Sequence, residues 1–121
     1  MDMHHDITYI EFPTIRLKES KEFFKKVFGW TFTDYGDDYT SFSDAGVHGG
    51  FFKAGSQPTR PPEAVLVVLY SKDLEATLKA VKDEGCTISK ETFSYPGGRR
   101  FHFIEPGGNE VAVWSEDEDN D

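Results

Sequence analysis

The 121-residue chain has a mass of 13.7 kDa and sets 13 Lys and Arg against 22 Asp and Glu, a formal charge of −9. That length holds one compact domain or two very small fused modules, and folding it buries roughly two-thirds of its surface. The single Cys86 excludes an intramolecular disulfide, no apolar run approaches the roughly 20 residues of a membrane span, and the scarcity of Lys and Arg argues against binding a nucleic-acid backbone.

Aromatics make up 15% of the chain, and eleven Phe can build a core without disulfides or metal. The start, MDMHHDITYI, lacks the basic flank and apolar stretch of a signal peptide, so a cytoplasmic location is expected. Five of the acids (Glu116, Asp117, Glu118, Asp119, Asp121) fall in the last six residues, and without them the charge is −4. Residues 116–121 therefore read as a solvated, disordered tail on a mildly acidic body.

In chain order, Ile7 to Pro13 alternates as a strand that Pro13 ends, with Tyr9 and Glu11 on one face. Leu17, Phe23, Phe24, Val27 and Phe28 then recur at helical spacing, with Thr14 as the candidate cap and Gly29 just past the end. The charged face of this helix (Lys18, Glu19, Lys21, Glu22, Lys25, Lys26) reads as solvated surface with i,i+3 and i,i+4 pairs. Segments WTFTDY, YTSFSD and HGGFFKAG follow as three short strands, so residues 6–54 read β-α-β-β-β. The stretch 55–62, GSQPTRPP, has three prolines and no apolar residue, and reads as a linker.

The second half repeats the first. Ala64 to Tyr70 is an apolar strand and Lys72 to Glu84 an amphipathic helix carrying Leu74, Leu78 and Val81. CTISKETF, RRFHFIEP and NEVAVWS make three more strands within residues 63–115. Leu17 matches Leu74 at an offset of 57, Gly29 matches Gly85 at 56, and Phe42–Asp44 matches Phe103–Glu105 at 61. Such drifting offsets are what a duplication with small insertions leaves. The fold class expected is α+β, two tandem βαβββ modules in one domain over residues 1–115.

Several pieces together resemble the vicinal oxygen chelate superfamily, which includes glyoxalase I, extradiol dioxygenases and the fosfomycin- and bleomycin-resistance proteins. They are ITYIEFPT, the helix ending FFKKVFGW, YTSF followed by GGFF, SKDLEATLKAVKDEGC and GGRRFHFIEPGGNEVAVW. The resemblance is greatest to the glyoxalase-related, bleomycin-resistance-like group. It implies two βαβββ modules forming a cupped half-barrel sheet whose concave face holds a small molecule, commonly in a homodimer. In metal-dependent members one ligand comes from the first and one from the fourth strand of each module. Those positions fall here on Tyr9, Gly50 (Phe51 if the register slips by one), Leu66 and Ala112. Gly, Leu and Ala supply no donor, so no metal and no other cofactor is expected.

Period two then assigns the rest of the expected cavity. Tyr9 carries Glu11 with it, Leu66 carries Val68 and Tyr70, Ala112 carries Trp114, and His102, which the resemblance places inward by counting back from Pro106, carries Arg100. The ligand-binding candidates are Tyr9, Glu11, Phe51, Leu66, Tyr70, Arg100, His102, Ala112 and Trp114. Glu11 and His102 are its candidate acid and base for abstracting a proton next to a carbonyl. The competing reading pairs Glu11 with Arg100 or Arg99 and hydrogen-bonds His102 to a neighbour. Other features read as structural. His4 and His5 point apart in an extended terminus, the Gly-Gly pairs serve turns rather than phosphates, and Cys86 has no flanking base.

Three functions follow: a metal-free small-molecule-binding protein, for a cationic or planar ligand; a superfamily enzyme related to lactoylglutathione lyase or acting on another small oxygenated substrate, either metal-free through Glu11 and His102 or with a divalent metal on ligands elsewhere in the chain; and a regulatory or interaction domain. The binding protein is the preferred reading.

Overall fold

The computed structural model describes residues 3–116. Two compact units divide it between Pro58 and Thr59, inside the proline-rich segment.

The first unit runs β1 (Tyr9–Thr14), α1 (Leu17–Phe28), β2 (Thr31–Asp34), β3 (Tyr39–Ser43) and β4 (His48–Lys53). Its sheet has the order β1-β4-β3-β2, with β1 and β4 parallel and the other pairs antiparallel. Pro13 lies inside β1 rather than ending it, and an edge strand tolerates a residue without an N–H. The cap differs from expectation as well. Arg16, with no side-chain cap bond, precedes α1, while Thr14 accepts from the Arg16 N–H at 3.0 Å and bonds Ser20 Oγ at 2.8 Å. At the other end Gly29 takes the left-handed conformation (φ 75), and the N–H groups of Gly29 and Trp30 close on Lys25 and Phe24. Lys21 pairs across to Asp34 of β2 at 2.9 Å, rather than along its own helix.

Rings make this unit's core. Phe24 stacks on Trp30 at 4.5 Å, Phe12 on Phe51 at 5.1 Å, and Trp30 meets Phe42 at 4.6 Å. Phe12, Phe42 and Phe51 project from the sheet face that α1 covers, because β1, β3 and β4 place them on one side by period two.

The second unit repeats the plan: β5 (Val67–Tyr70), α2 (Leu74–Asp83), β6 (Thr87–Tyr95), β7 (Gly98–Ile104) and β8 (Glu110–Glu116). Its sheet order is β5-β8-β7-β6, again with the first pair parallel. Strand β5 starts at Val67 rather than Ala64, so Leu66 lies just ahead of it. Asp73 caps α2, accepting from the Ala76 N–H at 3.2 Å. Here the core is mostly aliphatic, with Leu74, Val81, Val111 and Val113 buried beside Phe101 and Phe103.

Two irregularities in β6 have consequences. Ile88 pairs with Phe103, Lys90 with His102 and Phe93 with Arg100, so the register slips by one residue twice. Bulges of this kind re-aim side chains. They keep Ile88 on the helix side while bringing Lys90, Phe93 and Tyr95 onto the opposite face with His102 and Arg100. The EPGGN turn between β7 and β8 is held by a buried carboxylate. Glu105 accepts from the N–H of Gly107 at 2.8 Å, the N–H of Asn109 at 3.2 Å and Asn109 Nδ2 at 2.6 Å. Both units therefore show the expected α+β arrangement of two βαβββ modules. Asp117 to Asp121 of the expected tail lie outside the described residues, and Glu116 closes β8.

Candidate functional site

The predicted residues separate into three places. In the first unit, Tyr9 and Glu11 share the sheet face turned away from α1. In the second, Tyr70, Arg100, His102, Ala112 and Trp114 share one face of β5, β8 and β7, with Leu66 half-buried just before β5. Phe51 does not belong with either group. It points to the helix side of β4, fully buried among Phe12, Phe24 and Phe42, because one residue along a strand reverses the face.

On the first unit's open face, Gly50 sits opposite both Glu11 of β1 and Ser41 of β3. A Cβ at Gly50 would collide with the Tyr39 hydroxyl and ring, so the glycine is there for close approach and not for a turn. Tyr39 donates to Glu11 Oε2 at 2.9 Å, which leaves Tyr9 to donate to Tyr39 across 2.5 Å. Burial, followed by these bonds to Tyr9 and Glu11, pushes the Tyr39 phenol well above the ordinary tyrosine range. Tyr9 remains 47% exposed.

On the second unit's face, His102 is only 2% exposed. Its Nδ1 lies 2.9 Å from Glu110 Oε2, and the same oxygen accepts from Ser89 Oγ at 3.2 Å. The other oxygen of Glu110 accepts from Arg60 Nε at 2.9 Å. Burial pushes the Glu110 carboxyl up, but bonds from His102, Arg60 and Ser89 together with the Arg60 charge hold it below its ordinary value. Around this group, the Arg100 guanidinium lies 5.4 Å from the rings of both Phe93 and Tyr95. Phe93 is 5.9 Å from the His102 ring, and Tyr70 meets Trp114 edge-on at 5.2 Å while donating to Glu116. Arg100 Nε and His102 Nε2 are the two buried side-chain polar atoms without a hydrogen-bond partner among the described residues.

Each candidate of the acid–base pair thus has a carboxylate or phenol partner inside its own unit: Tyr39 for Glu11, Glu110 for His102. Arg99 is taken by Glu75 at 2.5 Å on the helix side. The sequence reading misses Ser89, Phe93 and Tyr95 of the bulged strand β6, and three residues elsewhere. Glu110 was within reach of it, since the turn after Glu105 pairs His102 with Ala112 and so returns Glu110 to the same face. Tyr39 has a fainter signal in the bare Gly50 beside it. Arg60 has none, being one basic residue in a proline-rich stretch.

The residues present do not fit the metal that the resemblance implies. Gly50, Leu66 and Ala112 offer no donor atom, and the Tyr39 ring occupies the space a side chain at Gly50 would need. Among the described residues no three His, Cys, Asp or Glu side chains cluster. His4 and His5 do come together, stacked at 3.7 Å rather than pointing apart, since His5 has a left-handed backbone (φ 70). The Cys86 thiol is pushed up to about 11, chiefly by burial and further by Glu105 and Glu84, which does not suit a nucleophile. A hollow of about 310 Å³ between α1 and the β2–β3 turn, lined by Leu17, Lys21, Asp34 and Gly36 among others, contains none of the expected site residues. No helix among the described residues is long and apolar enough to cross a membrane.

Solved structures share the arrangement at low identity. A glyoxalase-related enzyme from Fulvimarina pelagi superposes with a TM-score of 0.75 at 15% identity, covering 93% of this chain and 88% of that one. A glyoxalase/bleomycin resistance protein/dioxygenase from Alicyclobacillus acidocaldarius gives 0.72 at 15%, over 98% and 97% of the chains. Lactoylglutathione lyase from Agrobacterium tumefaciens gives 0.68 at 16%, over 92% and 93%. These likenesses establish the fold alone. Among curated proteins none matches this chain. The family profile spans residues 6–113, nearly the whole of both modules, and the chain belongs to the Glyoxalase/Bleomycin resistance protein/Dioxygenase superfamily.

Proposed function

We propose that this chain binds a small molecule without a metal, on the second module's open face around His102 and Arg100. The observation that carries the reading is the pair of buried, unpartnered nitrogens, Arg100 Nε and His102 Nε2, two residues apart on one face of β7. A buried polar atom left unpaired costs about 1–3 kcal/mol, and a ligand that meets it recovers that loss. Arg100 Nε–H can only donate, so the ligand offers it a carbonyl or carboxylate oxygen. Phe93 and Tyr95 beside it on β6, with Trp114 directly opposite it on β8, suit a planar apolar body. An acceptor-bearing planar ligand therefore replaces the cationic option among the sequence-based expectations.

A second reading has one observation in its favour. His102 is held at Nδ1 by a carboxylate, as a general base would be, which supports a metal-free enzyme of the superfamily. In that reading Glu110 and not Glu11 orients the base.

A thermal-shift series with benzamide- and benzoate-type compounds tests the binding reading. At least one compound should raise Tm in a concentration-dependent way, and Arg100→Met should weaken it about tenfold. One tightly held Ni, Zn, Mn or Fe per chain after purification without chelator would sink the metal-free reading.

A further inference from the structure

We propose that Arg60, on the proline-rich segment before the second module, is a positioning residue for His102. Through Glu110 it holds the imidazole with Nδ1–H on the carboxylate and Nε2 as a buried, unpaired acceptor, so the site selects a ligand presenting an N–H or O–H donor there. The proposal rests on the binding reading for the ligand's place, but its first test needs no ligand.

The donor count fixes the tautomer. Arg60 Nε cannot accept, and Ser89 Oγ faces a carboxylate oxygen, so both donate to Glu110. Glu110 is thereby an acceptor on both oxygens, and the third contact, 2.9 Å from His102 Nδ1, must be an N–H from the ring. A neutral imidazole with Nδ1–H carries its lone pair on Nε2, the atom that is buried without a partner. Arg60 is anchored at its far side too. Its Nη1 donates to the Ala64 carbonyl at 2.9 Å and the Pro61 carbonyl at 3.4 Å. The guanidinium is thus a fixed brace between the segment leading into β5 and the first residue of β8. Side chains of the Arg60–Glu110 pair are only 17% and 15% exposed, so solvent screens them little. The charged groups near His102 are Glu110 from β8, Lys90 directly opposite on β6, Arg100 on its own strand, and Arg60 behind Glu110. Of these cations Arg60 is the one bonded to Glu110, so its loss frees Oε1 and the carboxylate can rotate away from Nδ1.

Long-range 1H–15N spectra of the full chain at mildly alkaline pH read the tautomer directly. The wild type should show His102 protonated at Nδ1. Glu110→Gln should move the proton wholly or partly to Nε2, Arg60→Met should give a mixture, and Arg60→Lys should retain more of the Nδ1–H form than Arg60→Met. An Nε2–H tautomer in the wild type, or an unchanged Nδ1–H population in Arg60→Met, overturns the proposal while leaving the binding reading intact. Benzamide and N,N-dimethylbenzamide, which differ in the N–H donor, form the ligand arm. Benzamide should bind roughly tenfold tighter to the wild type, and Arg60→Met should reduce that preference to about threefold or less. Equal affinities in the wild type overturn the selectivity claim. If neither compound binds while the tautomer responds as described, the binding reading fails and the positioning role survives.

Discussion

The two modules share strand order, pairing directions and helix placement, yet they use those positions for opposite purposes. Module one concentrates its chemistry of packing on the helix side, in a ring cluster of Phe12, Phe23, Phe24, Trp30, Phe42 and Phe51, and leaves on its other face a phenol–phenol–carboxylate chain with Tyr9 half in water. Module two fills its helix side with smaller aliphatics and sets a buried His102 with half-buried Glu110 and Arg60 on or against the other face. A repeated topology has repeated the framework and not the site. Fold membership therefore says little about chemistry here, and the second module is where a ligand should be sought.

The largest expected effect attacks the packing side of the contrast. Phe51→Ala should cost about 3–5 kcal/mol in urea unfolding, since it empties a fully enclosed ring site. Val113→Ala, its counterpart in module two, should cost roughly 1–3 kcal/mol. Equal losses would erase the distinction between a ring core and an aliphatic one.

Next comes the open face of module one. Gly50→Ala should cost about 1–3 kcal/mol by displacing the Tyr39 ring, and little in a Tyr39→Ala background. A coupling below about 0.5 kcal/mol in this cycle would mean that the ring yields freely. The same phenol gives a pH signature. Its raised value means that its stabilising contribution is fully present below the ordinary tyrosine value of 10.0 and disappears as pH rises through the folded-state value. Tyr39→Phe should lose that alkaline dependence, and a wild type flat across this range would contradict it.

The smallest effect compares the two helices. Asp73→Ala removes the side-chain cap of α2 and should cost about 1 kcal/mol. Arg16→Ala, at the equivalent point of α1, should stay within ~0.5 kcal/mol, because Arg16 makes no cap bond.

Most of the framework is legible in the residues. Helical spacing of Leu17, Phe23, Phe24 and Phe28, alternation around Tyr9 and Arg100, and the turn residues locate all ten elements within a few positions. Register is harder, because it depends on backbone pairing that sequence periodicity does not report. The bulges in β6 leave no clear mark in CTISKETF, and Phe51 and Gly50 exchange faces on a slip of one residue. On the second unit's face, the resemblance anchors His102, Ala112 and Leu66, and period two extends them to Arg100, Trp114 and Tyr70. Arg60 does not, because a residue in an irregular segment reaches its partner through tertiary placement rather than through any repeat.

Gly50 and Tyr39 bear on how such a chain can change over time. A carboxylate or imidazole introduced at position 50 meets the phenol before it meets anything else. Removing the phenol first strips Glu11 and Tyr9 of their hydrogen-bond partner. Neither single step is expected to be neutral, so accommodating a donor side chain at this strand position needs both changes together. The pair ties position 50 to position 39, so side-chain size on one strand is answered by ring placement on its neighbour.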